Sequence, residues 1–308
     1  SMARSAPAGP PGPPFSPRRS RGANSLARAP TRPPAATRRY WDRATLRWER
    51  FEPQLMYAMS AVDPTLLRAL APKPGQRVLD AGCGTGEPAL AIAQWVAPRG
   101  SVLGLDLSPR MLAIARLRAR QRGVTNVRFR PADLGRVRLP RARFHGVVSR
   151  FGLMFVEDIP GALGALRAAL RPGGRAAFAV WGPMRKNPVS RLSAEAVRPF
   201  LEEPPPPPES GPHPLRLGRR GALASLMRQA GFRGVATQGV GAPYVYGSEE
   251  EFLTMNLSYP NPLRDVYLSL SPRDRRRLRA RFARGIRRFR SGQVVRVPGF
   301  AWVVTGRR

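Results

Sequence analysis

Between Arg77 and Trp181 the chain repeats one pattern, a short apolar run followed by a longer segment whose apolar residues recur every three or four positions. Arg77–Ala81, Val102–Leu107, Val127–Arg130, Phe144–Phe151 and Arg175–Trp181 have the length and content of strands. Pro88–Ala97, Ser108–Arg122 and Gly161–Leu170 have a helical period. Ser108-Pro109 offers a capping hydroxyl and a first-turn proline, and Glu157-Asp158 put carboxylates at the start of the third helix. Strands alternating with helices predict a parallel sheet built from βαβ units. Ahead of it, Trp41, Leu46, Trp48, Phe51, Leu55 and Met59 predict one or two helices, and Leu66, Leu67 and Leu70 a further short one. After Trp181 the alternation stops. Val189–Leu201, Ala222–Ala230, Ser248–Leu257 and Ser271–Arg290 read as helices, Val235–Tyr246 and Gly299–Thr305 as strands, and Pro204–Pro208 as a stiff connector.

Residues 3–39 change the picture at the front of the chain. They are rich in Pro, Ala, Gly, Ser and Arg and hold no acid, so they cannot bury enough apolar surface to offset ordering. A disordered tail over 1–39 is expected, and the same composition leaves a targeting signal open. Ser1-Met2 reads as an expression scar. Four segments follow: the tail 1–39, N-terminal helices and core 40–182, a lid 183–296 containing the core strand 235–246, and a last core strand 297–308.

Composition excludes more than it assigns. No apolar run approaches the roughly 18 residues of a spanning helix. One cysteine, Cys83, and two histidines, His145 and His213, are too few for a disulfide framework or an ordinary zinc centre. No metal and a cytoplasmic location are therefore expected. The charge is +34, and every basic residue except Lys73 and Lys186 is an arginine. Such a field attracts polyanions. The arginines are spread along the chain, however, which suits a solvated surface better than a nucleic-acid stripe.

The sharpest motif is Val78-Leu-Asp-Ala-Gly-Cys-Gly-Thr-Gly86. An apolar strand enters Asp80 and then glycines 82, 84 and 86, which let backbone approach a ligand closely at the carboxyl end of a parallel sheet. A second acid, Asp106, ends the next strand, where it can accept from both hydroxyls of a ribose. A third, Asp133, ends the strand after that, where an adenine amino group could be held.

With DAGCGTG at 80–86, LGLDLSPRML at 103–112, PADL at 131–134, SRFGLMF at 149–155, LRPGGR at 170–175 and FAWVVTGRR at the C-terminus, residues 40–308 resemble a class I S-adenosylmethionine-dependent methyltransferase. They are similar in particular to the small-molecule branch containing the ubiquinone/menaquinone C-methyltransferases. The resemblance implies an α/β, Rossmann-like, seven-stranded, mostly parallel sheet whose last strand is antiparallel, with a helical lid. It implies S-adenosyl-L-methionine as cofactor and S-adenosyl-L-homocysteine as product. Gly82, Cys83, Gly84 and Gly86 would then line the cofactor, and Asp80 would reach its amino group. Asp106 would take the ribose diol, Leu107 and Met111 would pack on the adenine, and Asp133 and Leu134 would hold its edge. Ser149 and Arg150 would face the sulfonium and the acceptor. Tyr40, Trp41 and Trp48 would close over the cofactor or pack on the sheet edge. His145 stands where such sequences commonly carry Asp, at the far end of its strand.

Methyl transfer from a sulfonium mainly requires orientation and exclusion of water. No His–acid pair is visible, so the expected acceptor is already nucleophilic: an electron-rich ring carbon, a phenolate or an amine. A small aromatic or lipophilic, quinol-like acceptor is expected, with Arg150 pairing a phenolate-like oxygen. Two other classes stay open. A nucleic-acid methyltransferase would suit the charge, but Ser149-Arg-Phe-Gly152 is not the Asn/Asp-Pro-Pro-Tyr type. A non-catalytic scaffold would not need intact glycines and acids. Leu278, Phe282, Ile286 and Phe289 form an apolar seam on an arginine-rich helix, which could lie on an anionic membrane or pack as a lid. Cys83 reads as packing rather than a nucleophile, and His213 as a loop residue. Asn187 and Trp181 are candidates for the acceptor pocket. Oligomeric state is not legible.

Overall fold

The computed structural model describes residues 34–203, 207–258 and 261–308; the side chain of Trp48 and residues 204–206 of the polyproline stretch lie outside what is described. Of the expected tail, residues 1–33 also lie outside it. Its last residues belong to the first helix, α1, Pro34–Ser60, so ordered backbone begins ahead of Tyr40. The single helix runs on through Pro53. Helix α2, Asp63–Leu70, follows with Pro64 in its first turn, where a missing N–H costs nothing.

The alternation then appears as predicted: β1 Arg77–Ala81, α3 Ala89–Val96, β2 Ser101–Asp106, α4 Pro109–Gln121, β3 Val127–Pro131, β4 Phe144–Arg150, α5 Ile159–Ala169 and β5 Leu170–Trp181. Ser108 Oγ accepts from the Met111 N–H at 3.3 Å and caps α4. Asp158 Oδ1 accepts from the Gly161 N–H at 2.9 Å and caps α5. β1, β4 and the Ala176–Trp181 half of β5 are almost wholly buried. A parallel strand covered on both faces must read as a continuous apolar run, which is why these three were legible.

Beyond Trp181 come α6 Pro188–Val197, α7 Ala222–Gln229, β6 Arg233–Gly241, β7 Tyr244–Tyr246, α8 Glu249–Ser258, α9 Pro262–Ser269, α10 Pro272–Ile286, β8 Arg290–Ser291, β9 Val294–Val297 and β10 Phe300–Arg307. The main sheet has the order β3-β2-β1-β4-β5-β10-β6. β10 is antiparallel to both neighbours, the others pair in parallel, and the fold is Rossmann-like.

One expected strand, 235–246, is two. The Ala242 N–H gives a last bond to the Gly299 carbonyl at 2.8 Å, and Pro243 has no N–H to continue the ladder. The chain therefore leaves the main sheet, and β7 joins β9 and β8 in a separate three-stranded sheet. That sheet and α6, α8, α9 and α10 enclose a second core around Tyr246, Phe252, Leu278 and Phe282. The seam of α10 is inside it: Leu278, Phe282 and Ile286 are at most 1% exposed. The helix packs its seam into this second core, which leaves that apolar face covered, and no residue of the expected lid 183–296 reaches the cavity at the carboxyl ends of β1 and β4. No helix among the described residues is long and apolar enough to cross a membrane.

Candidate active site

Strand order reverses between β1 and β4, and their carboxyl ends open into a cavity with about 830 Å³ of empty space, part of it open to solvent. The loop after β1 forms one side. Gly82 and Cys83 N–H both donate to the Leu105 carbonyl, at 2.7 and 2.9 Å, which ties the loop to β2. Gly82 has φ +79°, and a Cβ there would stand 3.0 Å from Gly152 Cα. Only glycine fits that approach. Around the place where a Gly84 Cβ would stand there is nothing within 4 Å, so this backbone lies bare toward the cavity.

Asp106 meets the loop from β2. Its Oδ2 accepts from the Gly84 N–H and its Oδ1 from the Ser108 N–H, both at 2.9 Å. Burial holds its carboxyl above the ordinary range, and these amide bonds oppose the rise. Leu107, Met111 and Leu134 supply apolar lining, and Asp133 sits beside them with Oδ1 accepting from the Gly135 N–H at 2.9 Å.

The cavity thus gathers Gly82, Cys83, Gly84, Asp106, Leu107, Met111, Asp133, Leu134 and Arg150 from the residues singled out in the sequence. Asp80, Gly86 and Ser149 stand behind its wall. Ser149 Oγ donates to the Ala81 carbonyl at 2.6 Å and joins β4 to the end of β1. Gly86 packs toward Leu90 and Ala115. Asp80 is fully buried, and neither carboxylate oxygen has a hydrogen-bond partner among the described residues. Burial pushes its pKa up to about 8, with the Arg150 charge opposing. Burial also raises the Cys83 thiol, which keeps it protonated and leaves it the packing role.

Arg150 is buried at the wall. It donates to Asp63 Oδ2 at 2.8 Å and to the Glu87 carbonyl at 3.2 Å, while its Nε has no acceptor. Asp63 was not singled out in the sequence. Burial lifts its carboxyl to about 6 even though Arg150 pulls the other way.

Helix α1 closes the cavity from above with Thr37, Trp41, Met56 and Met59. Trp41 meets Phe155 edge to face at 4.8 Å. The helix is fastened to α4 by Ser108 Oγ donating to Asp42 at 2.6 Å and by a Glu52–Arg118 ion pair. Phe151 lines the cavity from a left-handed backbone, φ +59°, and stacks on Trp181 at 4.2 Å. A non-glycine residue held there costs about 1–3 kcal/mol and persists only where packing compensates. Met56, Met59, Phe151, Phe155 and Glu87 were not predicted as lining. SRFGLMF at 149–155 carried the signal for the two phenylalanines.

Other candidates fall elsewhere. Asn187 ties the start of α6 to β10 by exchanging bonds with Phe300, and neither it nor Trp181 lines the cavity. His145 Nδ1 accepts from the Arg77 N–H at 3.0 Å at the far end of the sheet. His213 is a loop residue whose Nδ1 accepts from the Leu215 N–H at 3.0 Å.

Residues 78–174 match the family model described as a methyltransferase domain. A demethylmenaquinone methyltransferase of Thermus thermophilus is 39% identical over 161 residues, 51% of this chain and 66% of that protein. The chain belongs to the class I S-adenosylmethionine-dependent methyltransferases. A 2-phytyl-1,4-naphtoquinone methyltransferase of Synechococcus elongatus is 38% identical over 109 residues, 35% of this chain and 47% of that protein. The chain therefore spans between about half and two thirds of the length of these relatives. Among solved structures, the YcgJ protein of Bacillus subtilis superimposes with a TM-score of 0.52 at 17% identity, covering 80% of this chain and 97% of that one. That likeness carries the fold alone. The cofactor of this methyltransferase family suits the cavity: bare backbone at Gly84, a carboxylate at Asp106, an apolar slot beside it, and an unsatisfied buried carboxylate at Asp80.

Proposed function

We propose that this methyltransferase moves the methyl group of S-adenosylmethionine onto a small aromatic or lipophilic, quinol-like acceptor by in-line displacement. The observation that carries the reading is the cavity wall away from the glycine loop. Trp41, Met56, Met59, Phe151, Phe155 and Val156 make it apolar, and Arg150 is its single cation. An apolar wall with few placed polar groups is what a lipophilic ring requires. The names of the Thermus and Synechococcus relatives, both quinone methyltransferases, support the same class.

Bound S-adenosylmethionine supplies an activated methyl on a sulfonium. Asp106 would accept from its ribose hydroxyls, with Asp133 and Leu134 at the adenine edge and Leu107 and Met111 on the ring faces. Asp80 would stand behind Gly82 and Gly84, where beside the cofactor's ammonium it would give up its proton and become the countercharge. Cys83 lines this side by packing. The chain's remaining task is to orient the acceptor and exclude water, which the α1 roof and the Phe151–Trp181 stack serve. None of the lining carboxylates is free to act as a base. Asp106 holds two amide N–H groups, Asp133 accepts from the Gly135 N–H and faces Arg136, and Glu87 is paired with Arg122. The acceptor must arrive nucleophilic, and the Arg150 guanidinium at the cavity wall suits a phenolate-like oxygen. Ser149 serves by holding the β4 tip in place.

The test is label transfer from tritiated-methyl S-adenosylmethionine to a demethylnaphthoquinone analogue, reduced and oxidised. Transfer to the reduced form alone is expected, because only the quinol ring is electron-rich. Transfer to RNA in a fractionated extract, with none to either quinone form, would overturn the acceptor class. Arg150→Ala should cut turnover while cofactor affinity holds.

A further inference from the structure

The parallel crossovers from β1 to β2, β2 to β3 and β4 to β5 each carry a helix, whereas the connection from β3 to β4, residues 132–143, has none. Right-handed crossovers that advance in one direction put α3 and α4 on the same face of the sheet. The opposite face behind β2 and β3 is consequently left open as a groove with about 1100 Å³ of empty space. Arg128 and Arg130 project from the edge strand β3 into it, beside Leu103. Arg77 and Arg143 stand at its other side, next to Phe144.

None of the residues lining the groove is acidic. None of these four guanidinium groups has a hydrogen-bond or ion-pair partner among the described residues. Elsewhere the few acids are spent on arginines, as in Glu52–Arg118, Asp63–Arg150 and Glu250–Arg279. Like charges gathered in a concavity focus a positive potential and repel one another unless an anion fills it.

We propose that this groove binds the phosphodiester backbone of a single-stranded nucleic acid, as an anchoring site separate from the methyl-transfer cavity. Alternate residues of a strand are about 6.6 Å apart, so Arg128 and Arg130 are spaced like neighbouring phosphates of an extended strand. Guanidinium forks grip phosphate oxygens in pairs. Several in a row suit a chain of phosphates better than one. Residues 1–33 of this chain are arginine-rich and acid-free, and a second +34 copy is equally basic, so neither is the occupant. A bilayer is disfavoured by shape, since a flat surface cannot enter between the two walls. The groove also reaches the amino ends of β1, β2 and β4, whereas the cavity opens over their carboxyl ends. A bilayer docked there would turn the cavity away from a lipid acceptor. For the same reason a bound strand is not presented for methylation, so this proposal and the acceptor class fail independently.

The test is fluorescence anisotropy of a labelled oligouridine against a salt series. The variants are Arg128→Gln/Arg130→Gln/Arg143→Gln and a charge-matched control, Arg120→Gln/Arg220→Gln/Arg233→Gln, whose positions are all exposed. Each single-strand phosphate contact adds about 0.7 to the slope of log K against log salt. The groove triple should lower that slope by about 2 and the control should leave it unchanged. Equal losses in both triples would mean net charge alone and overturn the groove. Displacement of the oligonucleotide by equimolar pyrophosphate, or groove-dependent binding to phosphatidylglycerol vesicles without binding to RNA, would overturn it too. Unchanged circular dichroism and cofactor binding in both triples verify that each is folded.

Discussion

The buried pair Arg150–Asp63 allows a prediction in which the two ends of one ion pair are unequal. Asp63→Asn leaves a guanidinium whose side chain is 3% exposed and which cannot shed its charge. Stripping the partner from such a buried charge costs about 3–5 kcal/mol, and the retained amide oxygen argues for the lower end. Arg150→Met leaves the carboxylate, which can take a proton. Asp63 has already risen from 3.8 to about 6. At about 1.36 kcal/mol per unit, that rise costs folding about 3 kcal/mol at pH 7, and outright protonation caps the cost near 4.4 kcal/mol. Loss of the Arg150 charge therefore adds at most about 1.4 kcal/mol through Asp63. Asp80, at about 8, is already protonated at neutral pH and adds little more. Asp63→Asn also relieves the cost of about 3 kcal/mol that the raised carboxyl imposes at pH 7. Each single variant should therefore lose no more than about 2 kcal/mol there, and Asp63→Asn alone should flatten the fall in stability as pH rises toward 6. Urea denaturation at pH 5 and pH 7 with unchanged m-values reads this directly. A loss above about 3 kcal/mol for Asp63→Asn at pH 7, or an unaltered pH slope, would refute the assignment of the charge to a pair with one titratable end.

Other consequences are open to the same methods. Because the Asp80 and Asp63 carboxyls are raised in the fold, the folded chain holds more protons than the unfolded chain between about pH 4 and their folded values. Stability of the cofactor-free chain should thus fall as pH rises through 6 and 8, and Asp80→Asn should remove up to about 1.4 kcal/mol per pH unit of that slope; a slope unaltered by the substitution would contradict it. Gly82→Ala, forced into a left-handed backbone against Gly152, should cost about 1–3 kcal/mol and weaken cofactor binding by calorimetry, and unchanged affinity would remove this loop from the site. Phe282→Ala should cost about 3–5 kcal/mol, whereas a seam resting on a membrane would lose almost nothing in solution.

How far the sequence reached depends on whether the physics was local. β1, β4 and the second half of β5 are buried on both faces and read as apolar runs, and the caps at Ser108 and Asp158 lie next to the helices that they start. The glycine loop and the acids at 106 and 133 were legible because close backbone approach and strand-end position are properties of one segment. The split at Pro243 was visible in principle, since proline cannot extend a ladder. The destination of β7 was not, because its partner β9 lies some fifty residues on. Helix α9 and the two-residue β8 carry too short a period to stand out.

The acceptor side was illegible for a stronger reason. Its wall is assembled from α1, from the turn after β4 and from Arg150, and each contributes one or two residues. Arg150 and Asp63 are 87 positions apart, so neither motif nor spacing joins them. Arg150 was singled out by its place at a strand tip, and Asp63 was not singled out because its position is that of an ordinary first-turn carboxylate. What the fold adds is that the same carboxylate that opens α2 also holds the guanidinium at the cavity wall. On the proposed reading, the charge that faces an acceptor is set by a helix N-terminus packed beneath it. A substitution in the first turn of α2 should therefore act on acceptor binding without touching any residue of the cofactor loop.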